Sequence, residues 1–240
     1  MKRWLLLPLM MCLTAPAASA AGIDLAWNDC GTNGTMTQTF ACDVNSGLPF
    51  TLYASFVPPA GIDEFLGMSA QIDLCTMGWT FTDWWAHGAG QCRGTGALST
   101  SFDFTSGPFS CADVYFGQAA GGFAYDVGYG SPARARLRIQ CAVPFDNRIA
   151  VDPSTEYYAA KVSVGRSKST GAGSCAGCST PACIILNSVQ LFQPPEAQND
   201  PEISNPVNSN YAYWQATPPG CPANVVAKNT SWGRVRSRYR

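Results

Sequence analysis

The chain has 240 residues, 46% hydrophobic and only 13% charged, with eleven cysteines and a formal net charge of −1. Residues 21–227 carry eight basic side chains against sixteen acidic ones, a net of −8, which speaks against a nucleic-acid-binding body because such proteins need a positive face. Beyond the first twenty residues no apolar stretch approaches the roughly 18 residues that cross a bilayer, so no transmembrane segment is expected.

Lys2 and Arg3 precede the apolar run Trp4 to Leu13, and Ala18-Ser19-Ala20 follows as a small-x-small cleavage site. That is the layout of an export signal over residues 1–20. Lipidation at Cys12 is disfavoured because Met11, directly before it, is not small. Loss of the signal removes Cys12 and leaves ten cysteines in a chain expected to be secreted: extracellular, on the cell surface or in the periplasm. Thiols oxidise there, so disulfides are the expected state.

Period-two alternation then recurs along the chain. Ile23, Leu25 and Trp27 share a face, as do Leu52, Ala54 and Phe56, and then Met68, Ala70, Ile72 and Leu74. Phe102 and Phe104 flank Asp103, and Phe123, Tyr125, Val127 and Tyr129 alternate with small or polar residues. The cleanest case places Ala135, Leu137, Ile139, Cys141 and Val143 on one face, with Arg134, Arg136, Arg138 and Gln140 on the other. Tyr158, Ala160, Val162 and Val164 follow, then the apolar run Ile184 to Phe192 and a last strand over Tyr211 to Trp214. One helical turn is expected around Asp113 to Ala119. Short strands separated by Gly, Pro, Ser and Asn predict an all-β fold: an antiparallel β-sandwich, jelly-roll-like, of about nine strands. Residues 21–215 form its single domain, 193–210 an extended Pro/Asn-rich connector, and 216–240 a basic C-terminal tail.

The ten cysteines are Cys30, Cys42, Cys75, Cys92, Cys111, Cys141, Cys175, Cys178, Cys183 and Cys221. Four of them, Cys175, Cys178, Cys183 and Cys221, would suffice for zinc, but the paired C-x2-C spacing is absent and His87 is the only histidine. No metal and no cofactor are expected. Connectivity does not follow from sequence. Local closures of Cys30 with Cys42, Cys75 with Cys92 and Cys111 with Cys141 are the natural expectation, and the inward place of Cys141 suits a structural bridge.

Candidate ligand-binding residues are Trp79, Trp84, Trp85 and His87, since adjacent indoles can stack on sugar rings. The alternative is that these indoles plug the end of the sandwich and cover a disulfide. The row Arg134, Arg136 and Arg138 would face an anionic glycan or an acidic partner, or guard an edge strand against unwanted pairing. The tail interleaves Arg234, Arg236, Arg238 and Arg240 with Trp232, Val235 and Tyr239, a pattern suited to an anionic surface or to a solubilising role. No G-x-S-x-G nucleophile motif is present, and no catalytic residue is assigned. Asp73, Asp83, Asp103, Asp113 and Asp126 are the carboxylates available for a glycosidase pair.

Through Leu25-Ala26-Trp27-Asn28-Asp29-Cys30, Asp83-Trp84-Trp85, Cys175-Ala176-Gly177-Cys178 to Leu186-Asn187-Ser188, and Trp232-Gly233 with Tyr239-Arg240, the chain resembles a group of secreted, cysteine-rich bacterial β-sandwich proteins. The resemblance implies an exported β fold and brings no activity with it. A looser similarity to cohesin-like and carbohydrate-binding sandwiches rests on strand count alone. The expectation is a non-catalytic binding or surface-structural module with a glycan or cell-surface partner. A carbohydrate-binding protein with a tryptophan platform is the alternative, and a secreted glycoside hydrolase-like enzyme the third reading.

Overall fold

The computed structural model describes residues 20–217 apart from 77 and 79. The strands are β1 (Gly22–Trp27), β2 (Thr37–Gln38), β3 (Phe50–Val57), β4 (Gly67–Thr76), β5 (Leu98–Ser101), β6 (Ala120–Val127), β7 (Arg134–Ala142), β8 (Tyr157–Val164), β9 (Ala182–Phe192), β10 (Glu202–Ile203) and β11 (Tyr211–Trp214). One sheet runs β1-β3-β8-β5, and the other runs β2-β11-β9-β4-β7-β6 with β10 also on β9. The pairings are antiparallel except for β2 on β11. The chain is therefore the all-β sandwich that the alternation predicts. Where jelly-roll-like winding is the sequence expectation, the strand order β1-β3-β8-β5 over β11-β9-β4-β7 is that of an immunoglobulin-type sandwich. It departs from that type in supplying β5 before β6 and β7.

The inward rows of β1, β3, β4 and β7 meet between the sheets as their sequence phase requires, and Ile23, Leu25, Leu52, Phe56, Met68, Ile72, Leu137 and Ile139 are all buried there. Two bulges break the phase elsewhere. In β8 the register slips between Ala54 and Ser55, so Ala54 faces Ala160 while Ser55 faces Tyr158. Ala159 is the extra residue, and it turns Tyr158 to the face opposite Ala160, against the expected alternation. There Tyr158 stacks on Phe104 at 4.4 Å and packs on Tyr53 at 5.8 Å. In β9 the slip between Gln71 and Ile72 leaves Asn187 as the extra residue, so Leu186 and Val189 both point inward.

No helical turn forms at Asp113 to Ala119. The chain makes a tight turn there, with Phe116 at φ +50° and Gly117 at φ +71°. Short 3-10 turns occur instead at Gly31–Asn33, Asp83–Trp85, Thr95–Ala97, Phe145–Asn147 and Pro195–Ala197. The open side of β1 is covered by residues 205–209. Ile23 and Leu25 donate their N–H groups to Asn205 and Ser209, each at 2.8 Å. The buried Asp24 carboxylate accepts from the backbone N–H groups of Asn208 and Ser209 and from the Asn208 side chain. That satisfies a charge otherwise expensive to bury.

Disulfides join Cys30 to Cys111, Cys42 to Cys178 and Cys92 to Cys175. None of the expected local pairs forms. The reason is topological: strands far apart in sequence end at the same end of a sandwich, so their loops lie closer than consecutive cysteines do. Cys183 is also disulfide-bonded. Cys75 and Cys141 are free thiols, which corrects the expected bridges for both. Cys221 and residues 1–19 lie outside the described residues.

Candidate functional site

The two ends of the sandwich differ in chemistry. Loops 28–49, 80–97 and 165–181 close one end around tryptophan. Trp214, from the last strand, has Trp84 stacked at 4.8 Å, Trp85 edge-on at 5.5 Å, Phe50 at 5.0 Å and Trp27 at 6.0 Å. Its indole N–H donates to the Cys178 carbonyl at 2.7 Å, and the Trp84 N–H donates to Ser169 Oγ at 3.1 Å. Two of the disulfides, Cys42–Cys178 and Cys92–Cys175, fasten the same loops. Their sulfurs are committed to each other, so Cys175 and Cys178 are not metal thiolates here.

Trp84 and Trp85 are 0% and 1% exposed. They are core, not a platform, and this burial corrects the sugar-stacking expectation for the two residues; Trp79 lies outside the described residues. Tucked beneath them are His87 and Arg93, both buried. Arg93 lies over the Trp84 ring at 4.1 Å and donates to the carbonyls of Trp84 at 3.3 Å and Gly165 at 2.5 Å. Among the described residues no carboxylate reaches ion-pair distance of it. Burial alone pulls its pKa down from 12.5 to about 10. Among the described residues neither ring nitrogen of His87 has a hydrogen-bond partner. Burial first, and the Arg93 guanidinium second, push its pKa down from 6.5 to about 3. His87 is thus a neutral ring packed on Tyr125 at 5.4 Å, beside a cavity of about 20 Å³ whose walls include Trp85, Tyr125, Leu74 and Leu137. A histidine that refuses a proton above pH 3 is a poor general base at neutral pH.

The arginine row sits on β7, inside its sheet between β4 and β6, which corrects the edge-strand expectation. Arg136 clamps the buried Asp73 with two bonds of 2.6 and 2.8 Å, and Arg138 meets Asp126 at 2.6 Å. Arg134 lies 3.8 Å from Asp73. The register explains this, since Asp73 and Asp126 flank Arg136 on its two neighbouring strands. The row is largely neutralised from within the sheet. The tail residues Arg234, Arg236, Arg238 and Arg240 lie outside the described residues.

The candidate glycosidase acids are dispersed. Asp73 and Asp126 are held by arginines, Asp103 caps Thr105, Asp113 accepts from the Tyr115 N–H, and Asp83 is exposed at the start of its turn. A grouping absent from the sequence expectations is Asp29 with Glu156. Asp29 accepts from Ser110 Oγ at 2.6 Å and from the Tyr158 hydroxyl at 2.9 Å, and Glu156 accepts from Ser55 Oγ at 2.6 Å. Burial raises the pKa of Glu156. The Ser110–Asp29 bond, together with the Ser110 N–H donated to the Tyr158 hydroxyl, fastens the long 102–119 loop to the sheet beside the Cys30–Cys111 bridge.

Phe109, Phe116 and Phe145 are exposed on the 102–119 and 143–156 loops, which Gln118 and Asn147 join by a side-chain hydrogen bond. Among the described residues, strand β6 is the edge of its sheet, with Phe123 38% exposed. The sequence signal for this surface was present as phenylalanines in Gly/Pro loops, where aromatic residues have no alternation partner. Arg93 also had a signal: it is the sole Lys or Arg between Trp4 and Ala133.

No protein-family model matches the chain, and no curated protein matches it. Among solved structures it is similar to AggA, the major subunit of aggregative adherence fimbriae type I from Escherichia coli, at 10% identity and a TM-score of 0.27, over 82% of this chain and 96% of that one.

Proposed function

We propose that the protein is an exported, non-catalytic β-sandwich module that works by surface contact outside the cytoplasm. The observation that carries this reading is the set of disulfides closing sequence separations of 81, 136 and 83 residues. Each such closure stabilises a fold by about 2–4 kcal/mol, and the bonds persist only where thiols are oxidised. Phe109, Phe116 and Phe145 are the contact residues of this reading, since covering them with a partner would remove apolar surface from water. The export signal read at residues 1–20 accords with this.

The test is fractionation of the producing cell followed by unreduced peptide mapping. The expected result is protein in the envelope or medium with Cys92 linked to Cys175 and Cys42 to Cys178. Recovery in the cytoplasm with these four thiols reduced would sink the proposal.

A further inference from the structure

We infer that two copies of this chain pair through strand β6, antiparallel about a two-fold axis at Phe123. β6 ends its sheet and is bonded only to β7, in unbroken register from Ala120 to Val127. Among the described residues no other backbone group bonds to it. Exposed edges are normally protected by a lysine, a proline, a bulge or a covering loop. The sequence Ala120-Gly121-Gly122-Phe123-Ala124-Tyr125-Asp126-Val127 contains neither Lys nor Pro, its register shows no bulge, and residues 120–124 are all exposed.

A second copy fits this edge on charge and shape. Gly121, Phe123, Tyr125 and Val127 stand opposite the inward residues of β7, so Ala120, Gly122, Ala124 and Asp126 form the outward row. Antiparallel pairing centred on Phe123 sets Phe123 against its own image and Tyr125 against Gly121 of the second copy, an aromatic ring over a bare backbone. Asp126, the strand's sole charge, then faces Ala120 of the second copy and never its own image. Parallel pairing in register would stack the two aspartates. Apart from Asp126 the outward row is small, formed by Ala120, Gly122 and Ala124. The pairing does not depend on where the protein resides.

Sedimentation equilibrium of the chain from Ala21 onward tests it, with three companions. One carries Gly122→Lys and Ala124→Lys, another carries Gly122→Asp and Ala124→Asp, and a third lacks residues 218–240. In the stated register Gly122 faces Ala124 of the second copy, so each charged variant sets two like-charge pairs across the axis. The wild-type chain is expected to dimerise reversibly. Each charged variant alone should dissociate with Kd raised about tenfold or more. An equal mixture of the two should re-form a dimer, which also shows that both variants are folded. A wild-type chain that stays monomeric to millimolar concentration overturns the inference. So does a dimer that survives in both charged variants, or one lost only on removal of 218–240, which would identify the tail as the contact.

Discussion

The chain contains one histidine, and it is buried beside a guanidinium, so this ring should make acid destabilise the fold. In the unfolded chain His87 takes up a proton near pH 6.5. In the folded chain burial and Arg93 hold the ring neutral down to about pH 3. Between these values the unfolded state binds more protons through this ring, so the His87 contribution to stability is greatest above pH 6.5, falls as pH drops, and stops changing below about 3. At about 1.36 kcal/mol per pH unit, lowering the pH from 7.5 to 5 costs about 2 kcal/mol through this ring alone. Urea unfolding of the wild type and of His87→Phe at pH 7.5, 6 and 5 separates this effect from the carboxylates, whose contributions are common to both proteins. Glu156, raised by burial, is among them. The wild type should lose about 2 kcal/mol relative to the variant by pH 5, and its single imidazole resonance should not shift between pH 7 and 4.5. Parallel stability profiles, or an imidazole titrating near 6.5, would refute the reasoning.

Alkylation with peptide mapping should label Cys75 and Cys141 in denaturant. In the native protein Cys75 should react well before Cys141, whose thiol burial pushes up to about 11. Equal native rates would contradict the burial of Cys141. Trp214→Ala should lower stability by about 3–5 kcal/mol, or about 6–20 °C in Tm, because the indole contacts five other aromatic rings. Trp214→Phe should cost far less, since the Cys178 carbonyl keeps the Gln215 side chain as a donor. Calorimetry decides both.

The strands that alternate without interruption, β1, β3, β4 and β7, could be read from sequence because each has one core face and holds it throughout. The phases of β8 and β9 could not, because Ala159 is identical to Ala160 beside it, Asn187 sits next to the equally polar Ser188, and an extra residue is visible only against a partner strand. The cysteine pairs failed for a related reason. Proximity in sequence governs loop closure in an unstructured chain, whereas proximity here is set by which strands end together. The adjacent indoles marked the right loop but gave no sign of which way it folds. That depends on Trp214, which lies 129 positions from Trp85. The arginine row was read correctly as one face of a strand, yet its neutralisation required knowing that Asp73 and Asp126 lie on either side of it.

The indole at the centre of the closed end arrives from β11, the last strand among the described residues. A chain released amino terminus first therefore emerges with Trp27, Phe50, Trp84 and Trp85 waiting for a keystone still to come. Until nearly the whole polypeptide is free, its aromatic cluster has a vacancy at the hub.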